Sequence, residues 1–288
     1  MEKIVIEVGS TCTKVDEYDG ESIIHLDTVP IEFKKHYLEN NNIIEQDIID
    51  LVKLVNKYKE KYETNIIFVC GTSVFRNLKE CEKEEFLNRF KIETKLSFNI
   101  ITQEDENLLT VKGATKNVKD AVVFVGGGGS TEISYYNEEI KEMSYNKFGV
   151  MDVLKVFPDL AEDYATTSLE TIMDYIEERI KIPDVESDII ILAGGGHEYF
   201  AKTSGIRYSD NVLYKDKYEG IMMNIYERVE DTQKYYTDIS LDEIRSRVDE
   251  PKWWYCTRAM CAFVLVVAKK VNAKYIVPTD ISMIHGIM

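Results

Sequence analysis

Apolar and polar residues fall in short alternating blocks along this chain. Lys3–Val8, KIVIEV, is a β-branched run that stops at Gly9, the pattern of a buried strand. Val15–Tyr18 and Glu21–Val29 read as a strand pair after it. Across Glu45–Tyr62, apolar residues recur at positions 48, 49, 51, 52, 54 and 55 with charged residues between them, which predicts a helix with one buried face. Asn65–Cys70 reads as a buried strand, Glu82–Phe90 as a short helix, Ser97–Ile101 as a strand and Glu104–Lys112 as a helix.

The pattern restarts at Asp120. A strand over Asp120–Val125 leads into a glycine turn, followed by strands over Glu132–Tyr136 and Ile140–Ser144. Helices are expected over Phe148–Phe157 and Ser168–Arg179, then a buried strand over Ile189–Leu192. Asp210–Tyr214 reads as a short strand or loop, and Tyr218–Glu230 and Leu241–Val248 as helices. Tyr255–Asn272 is the long buried helix, and Ala273–Val277 closes as a strand. The restart predicts an internal duplication. The polar Lys116–Asp120 marks the boundary, giving domains 1–118 and 119–288.

Three strands end in glycine turns. The fullest is Val122–Ile133, VVFVGGGGSTEI; the others are Ile4–Val15, IVIEVGSTCTKV, and Ile189–Phe200, IIILAGGGHEYF. Glycine-rich backbone turns sharply and brings its N–H groups close to an anion, because no Cβ intervenes. Serine and threonine hydroxyls add donors at the same points. The three turns read as phosphate cradles.

Bulk properties narrow the ligand. With 288 residues the chain has room for two cores, and 30% charged residues fits a water-exposed surface. A net charge of −16 argues against nucleic-acid binding, which depends on many Lys/Arg–phosphate contacts, and against a long polyphosphate lying on an extended basic surface. No apolar run approaches a membrane span; Ala259–Ala268, AMCAFVLVVA, is too short. The first residues lack the apolar stretch of a signal peptide, and the five scattered cysteines show no zinc spacing, so a reducing cytoplasm is expected. Cys12 reads as a small polar filler rather than a nucleophile. The chain alone leaves a homodimer open.

The order of motifs resembles the exopolyphosphatase / guanosine pentaphosphate phosphatase family of the actin-like ATPase superfamily. Residues 6–15, IEVGSTCTKV, 71–80, GTSVFRNLKE, 101–114, ITQEDENLLTVKGA, and 127–133, GGGSTEI, match family motifs in sequence order, and 148–154, FGVMDVL, matches more weakly. The resemblance implies an α/β fold of two ribonuclease-H-like (actin-like ATPase) domains facing a central cleft. It implies a phosphohydrolase in which water attacks a phosphoanhydride bond of inorganic polyphosphate or a guanosine polyphosphate.

Residue by residue, Glu106 matches the catalytic glutamate, with Asp105 beside it as a helper or a helix N-terminal charge. Arg76 matches the phosphate-binding arginine. Ser10, Gly128, Gly129, Ser130 and Thr131 match phosphate-loop positions. Glu132 completes the motif with a role that is open to being structural. Glu7 stands where the family has an aspartate. It reads as a ligand of Mg2+ or Mn2+, a water-orienting group or a partner of Lys14. The chain departs from the pattern at Val125, where a metal-holding aspartate is expected, at Asp152, where an arginine is expected, and at residues 282–286, SMIHG. Valine cannot bind a hard cation. These departures keep open a non-catalytic polyphosphate- or nucleotide-binding homologue, and GSTCTK at residues 9–14 also suits an ATP-using activator or kinase of the wider superfamily. His197 is a weaker site candidate, and Trp253–Trp254–Tyr255 reads as packing.

Overall fold

The computed structural model describes residues 3–9, 12–19, 22–62, 66–72, 74–116, 118–162, 165–194, 223–224, 256–279 and 281–288. Within them the chain divides into two compact units, Met1–Leu109 with Ile287–Met288, and Thr110–Gly286. The division falls inside helix α4.

The first unit carries a five-stranded sheet in the order β3-β2-β1-β4-β5. β1 (Lys3–Val8), β2 (Thr13–Tyr18) and β3 (Ile23–Val29) form an antiparallel meander. β4 (Ile66–Gly71) and β5 (Phe98–Ile100) add in parallel on the far side of β1. The helices are α1 (Phe33–Asn40), α2 (Glu45–Lys61), α3 (Glu80–Thr94) and α4 (Gln103–Ala114). Alternation in β1 sends Ile4, Ile6 and Val8 to the core, where Leu51 and Val55 of α2 and Phe90 of α3 meet them. Lys3, Val5 and Glu7 therefore take the other face.

The second unit has a six-stranded sheet, β10-β11-β9-β6-β7-β8. β6 (Asp120–Gly126), β7 (Thr131–Asn137) and β8 (Glu139–Asn146) repeat the antiparallel meander. β9 (Ile189–Ala193) and β11 (Tyr275–Pro278) repeat the parallel additions, and β10 (Met223–Asn224) pairs antiparallel with β11. β6 is buried on both faces. Val122 and Phe124 pack on α5 (Val150–Val156), α6 (Leu169–Glu177) and α7 (Thr257–Lys270). Ala121 and Val123 pack on Val111 and Ala114 of α4 and on Ile281, just ahead of α8 (Ile284–Ile287).

The duplication expected from the restart at Asp120 is thus present as topology. The expected helix over Tyr218–Glu230 is corrected at Met223–Asn224, which pair with Ile276 and Tyr275 as a strand. The remainder of that segment, Asp210–Tyr214 and Leu241–Val248 lie outside the described residues. No helix among the described residues is long and apolar enough to cross a membrane.

Candidate functional site

Glu7, Arg76 and Glu106 all lie in the first unit. Glu7 is the penultimate residue of β1. The register sets Lys14 of β2 on one side of it and Cys70 of β4 on the other, with Asn99 of β5 beyond. Side chains directly opposite across strands share a face, so these groups form one polar row. Withdrawal from water pushes the Glu7 carboxyl up to about 7; Lys14 opposes this, and the carboxylates of Glu106 and Asp16 add to it. Burial first, and then the charges of Glu7 and Glu106, push the Cys70 thiol up as well, which leaves it inert at neutral pH.

Arg76 follows β4 in a single 3-10 turn, Phe75–Asn77. Its place is fixed by its neighbour: Phe75 is buried among Phe33, Phe86 and Phe98, with ring centroids 5.0, 5.2 and 4.7 Å away. Gly71 lets these rings close in, since a Cβ there would sit 2.5 Å from Phe98 and 2.6 Å from Phe75. Arg76 Nη1 donates to Glu106 Oε2 at 2.8 Å and to the Ile101 carbonyl at 3.3 Å.

Glu106 sits in the first turn of α4. Thr102 closes that turn: its hydroxyl accepts from the Asp105 amide at 3.0 Å and donates to Asp105 Oδ2 at 2.7 Å, and its carbonyl accepts from the Glu106 amide at 2.9 Å. Asp105 therefore belongs to the cap, and Glu106 is the carboxylate joined to Arg76. Arg76 and Glu106 are 25% and 36% exposed, within reach of a ligand.

Sequence reasoning did not single out a neighbouring cluster on the same sheet face. His25 Nδ1 lies 2.8 Å from Asp16 Oδ1, and Thr28 Oγ1 lies 2.9 Å from His25 Nε2. A register shift between Val15 and Asp16 brings Asp16 opposite His25. The expected binding residue Ser10 lies outside the described residues, as do His197, Trp253, Trp254 and Tyr255.

In the second unit, Gly127–Ser130 joins β6 to β7 as a tight loop, with the Gly127 amide donating to the Ser130 carbonyl at 2.8 Å. The start of α5 holds this loop from below. Val150 and Met151 amides donate to the Gly127 and Gly128 carbonyls at 3.1 and 2.8 Å. Gly149 permits the approach: a Cβ there would lie 2.5 Å from the Gly127 oxygen. Thr131 is 1% exposed and donates its hydroxyl to the Phe148 carbonyl at 2.9 Å, so it anchors the loop. Gly128 and Gly129 are exposed, and the amides of Gly128, Gly129 and Ser130 make no hydrogen bond among the described residues.

The two departures of the sequence here have structural consequences. Asp152 accepts from the Gly149 amide at 3.1 Å and pairs with Lys155, so it caps α5. Val125 stands in register with Glu132 and Ala193, and its Cγ1 would be 2.9 Å from a Cβ on Gly194, whose φ is +87°. Among the described residues, no three His, Cys, Asp or Glu side chains gather to hold a metal ion. Glu7 offers one hard oxygen donor. Magnesium is often held by one or two carboxylates plus substrate phosphates, a sparse pattern that Glu7 fits and Val125 does not.

A model of the Ppx/GppA phosphatase family matches residues 14–208, about two thirds of the chain. The chain belongs to that family. The Ppx/GppA phosphatase of Aquifex aeolicus, type II variant, is similar at a TM-score of 0.77 and 17% identity, over 100% of this chain and 98% of that one. An exopolyphosphatase from Cytophaga hutchinsonii gives 0.71 and 14%, over 99% and 96%. Nucleoside triphosphate hydrolases from Neospora caninum give 0.56 and 9%, over 100% and 91%. Comparison with curated protein sequences returned no match. These likenesses show an α/β fold of the actin-like ATPase type, as the motif order implied for a Ppx/GppA member.

Proposed function

We propose that this Ppx/GppA member is a phosphohydrolase that cleaves a phosphoanhydride bond of inorganic polyphosphate or a guanosine polyphosphate. The observation that carries this reading is the Arg76–Glu106 pair, two residues 30 positions apart joined at 2.8 Å, with the Glu106 charge acting on Glu7. Arg76 binds oxygens of the terminal phosphoryl group through its planar fork of N–H donors. Glu106 orients the attacking water and takes its proton as the new P–O bond forms and the bridging P–O bond breaks. Gly128, Gly129 and Ser130 bind the anion through backbone N–H groups, with Thr131 holding their loop in shape. Ser10 contributes in the same way from the first glycine turn.

Glu7 is the carboxylate assigned to Mg2+ or Mn2+. When bound, that ion neutralises phosphate charge. The fork of Arg76 and the small glycine turns suit short substrates, consistent with the net charge of −16. Catalysis in a cytoplasmic setting and without nucleic-acid or membrane partners belongs to the same reading.

Tripolyphosphate, long-chain polyphosphate and guanosine pentaphosphate should be offered with and without magnesium or manganese, with phosphate release as the readout. Release from at least one is expected. Val125 favours the second reading, a binding protein without turnover, and tight binding with no release from any substrate would establish it instead.

A further inference from the structure

In the second unit, the carboxylates near the glycine loop in sequence are committed elsewhere. Asp120 sits at the opposite end of β6 from the loop. It accepts from Tyr135 at 2.8 Å, Asn137 at 3.0 Å and Ser187 at 2.9 Å. Asp152 caps α5. Glu132 is 7% exposed within β7. The residue in register with it, at the end of β6, is the apolar Val125.

The donor side of the loop is the reverse. Bonds from Val150 and Met151 turn the Gly127 and Gly128 carbonyls toward α5. Three successive amides, those of Gly128, Gly129 and Ser130, make no hydrogen bond among the described residues. Nothing lies within 4 Å of a Cβ placed on Gly129. Among the described residues, an arriving anion meets three donor amides, and the carboxylate in the row with Val125, Glu132, is buried within β7.

We propose that the Gly127–Ser130 loop binds phosphate oxygens directly through its amides, without a divalent cation. Cation dependence is then confined to Glu7 and acts on turnover, not on the binding of phosphate to this loop. The inference rests on reading the loop as a phosphate cradle, and it separates two properties that a shared metal would tie together.

Calorimetry with imidodiphosphate, whose P–N–P bridge resists hydrolysis, tests this on the full chain. For wild type, the dissociation constants in EDTA and in magnesium should agree within about threefold. Val125→Asp puts a carboxylate in the row with Glu132. It should weaken binding in EDTA by about tenfold or more, with magnesium restoring most of the loss. Val125→Asn has the same shape without the charge; it should bind as wild type does, and it reports any effect of magnesium on the ligand itself. Wild-type binding that is tenfold tighter with magnesium, or a Val125→Asp protein that matches Val125→Asn in EDTA, overturns the inference alone. Absence of wild-type binding in both buffers removes the cradle reading along with it.

Discussion

Arg76 and Glu106 neutralise each other across 2.8 Å in the described structure. In the proposed reaction, a phosphoryl group that draws the guanidinium toward its own oxygens releases Glu106 to face water. The geometry of the fork is therefore as important as its charge. Arg76→Lys keeps the charge and loses the bidentate donor pair, so kcat/KM should fall about tenfold or more with the fold intact. An unchanged kcat/KM would remove Arg76 from substrate binding. Glu7 yields a stability prediction of definite sign. Its carboxyl is raised from 4.5 to about 7, so the folded state holds a proton that the unfolded state releases across that window. Stability should then fall as pH rises from 4.5 to 7 and stay low above it. Glu7→Gln lacks this loss. It should be more stable than wild type by roughly 3 kcal/mol at about pH 8 and equal to it below the ordinary carboxylate range. Thermal unfolding at both ends of the range checks this, and a difference independent of pH would contradict it. These residues were legible in the sequence because each sits inside a short motif. The helix N-terminal reading of Asp105 was legible too; the Thr102 hydroxyl that closes the cap with it was not.

Elements place these residues through contacts that a local pattern does not encode. The hairpin of β6, loop and β7 is plain in the sequence, because a β-branched run breaks at four glycines and resumes. That α5 supports the loop is not, since the contact joins Gly127 to Gly149. Gly149→Ala forces a Cβ to within 2.5 Å of the Gly127 oxygen, so loop or helix must shift. It should cost about 1–3 kcal/mol and weaken imidodiphosphate binding, measured by chemical denaturation and calorimetry. Unaltered stability and binding would show that the loop does not depend on α5. Helix α3 extends over Glu80–Thr94, well past the expected Glu82–Phe90, because its buried Phe86, Phe90 and Thr94 are diluted by charged residues. Helix α1 gave no signal at all; Phe33 is its single buried residue.

At the scale of the molecule, one plan appears twice: a three-stranded antiparallel meander extended by parallel strands, once in β1–β5 and again in β6–β9 with β11. The repeat was legible at Asp120 because both copies begin with the same strand–glycine signal. The strand at Met223–Asn224 was hidden because two residues carry no periodicity, and its pairing partner lies about fifty residues on. The chain's membership of the Ppx/GppA phosphatase family fits the proposed hydrolysis, for which Arg76 and Glu106 of the first unit are the assigned residues. Phosphate release by wild type and by Glu106→Gln, measured on whichever phosphoanhydride the protein turns over best, tests that account most directly. Loss of the carboxylate proposed to accept the proton of water should lower release by at least about a hundredfold while imidodiphosphate still binds. Release by Glu106→Gln at the wild-type rate would contradict it.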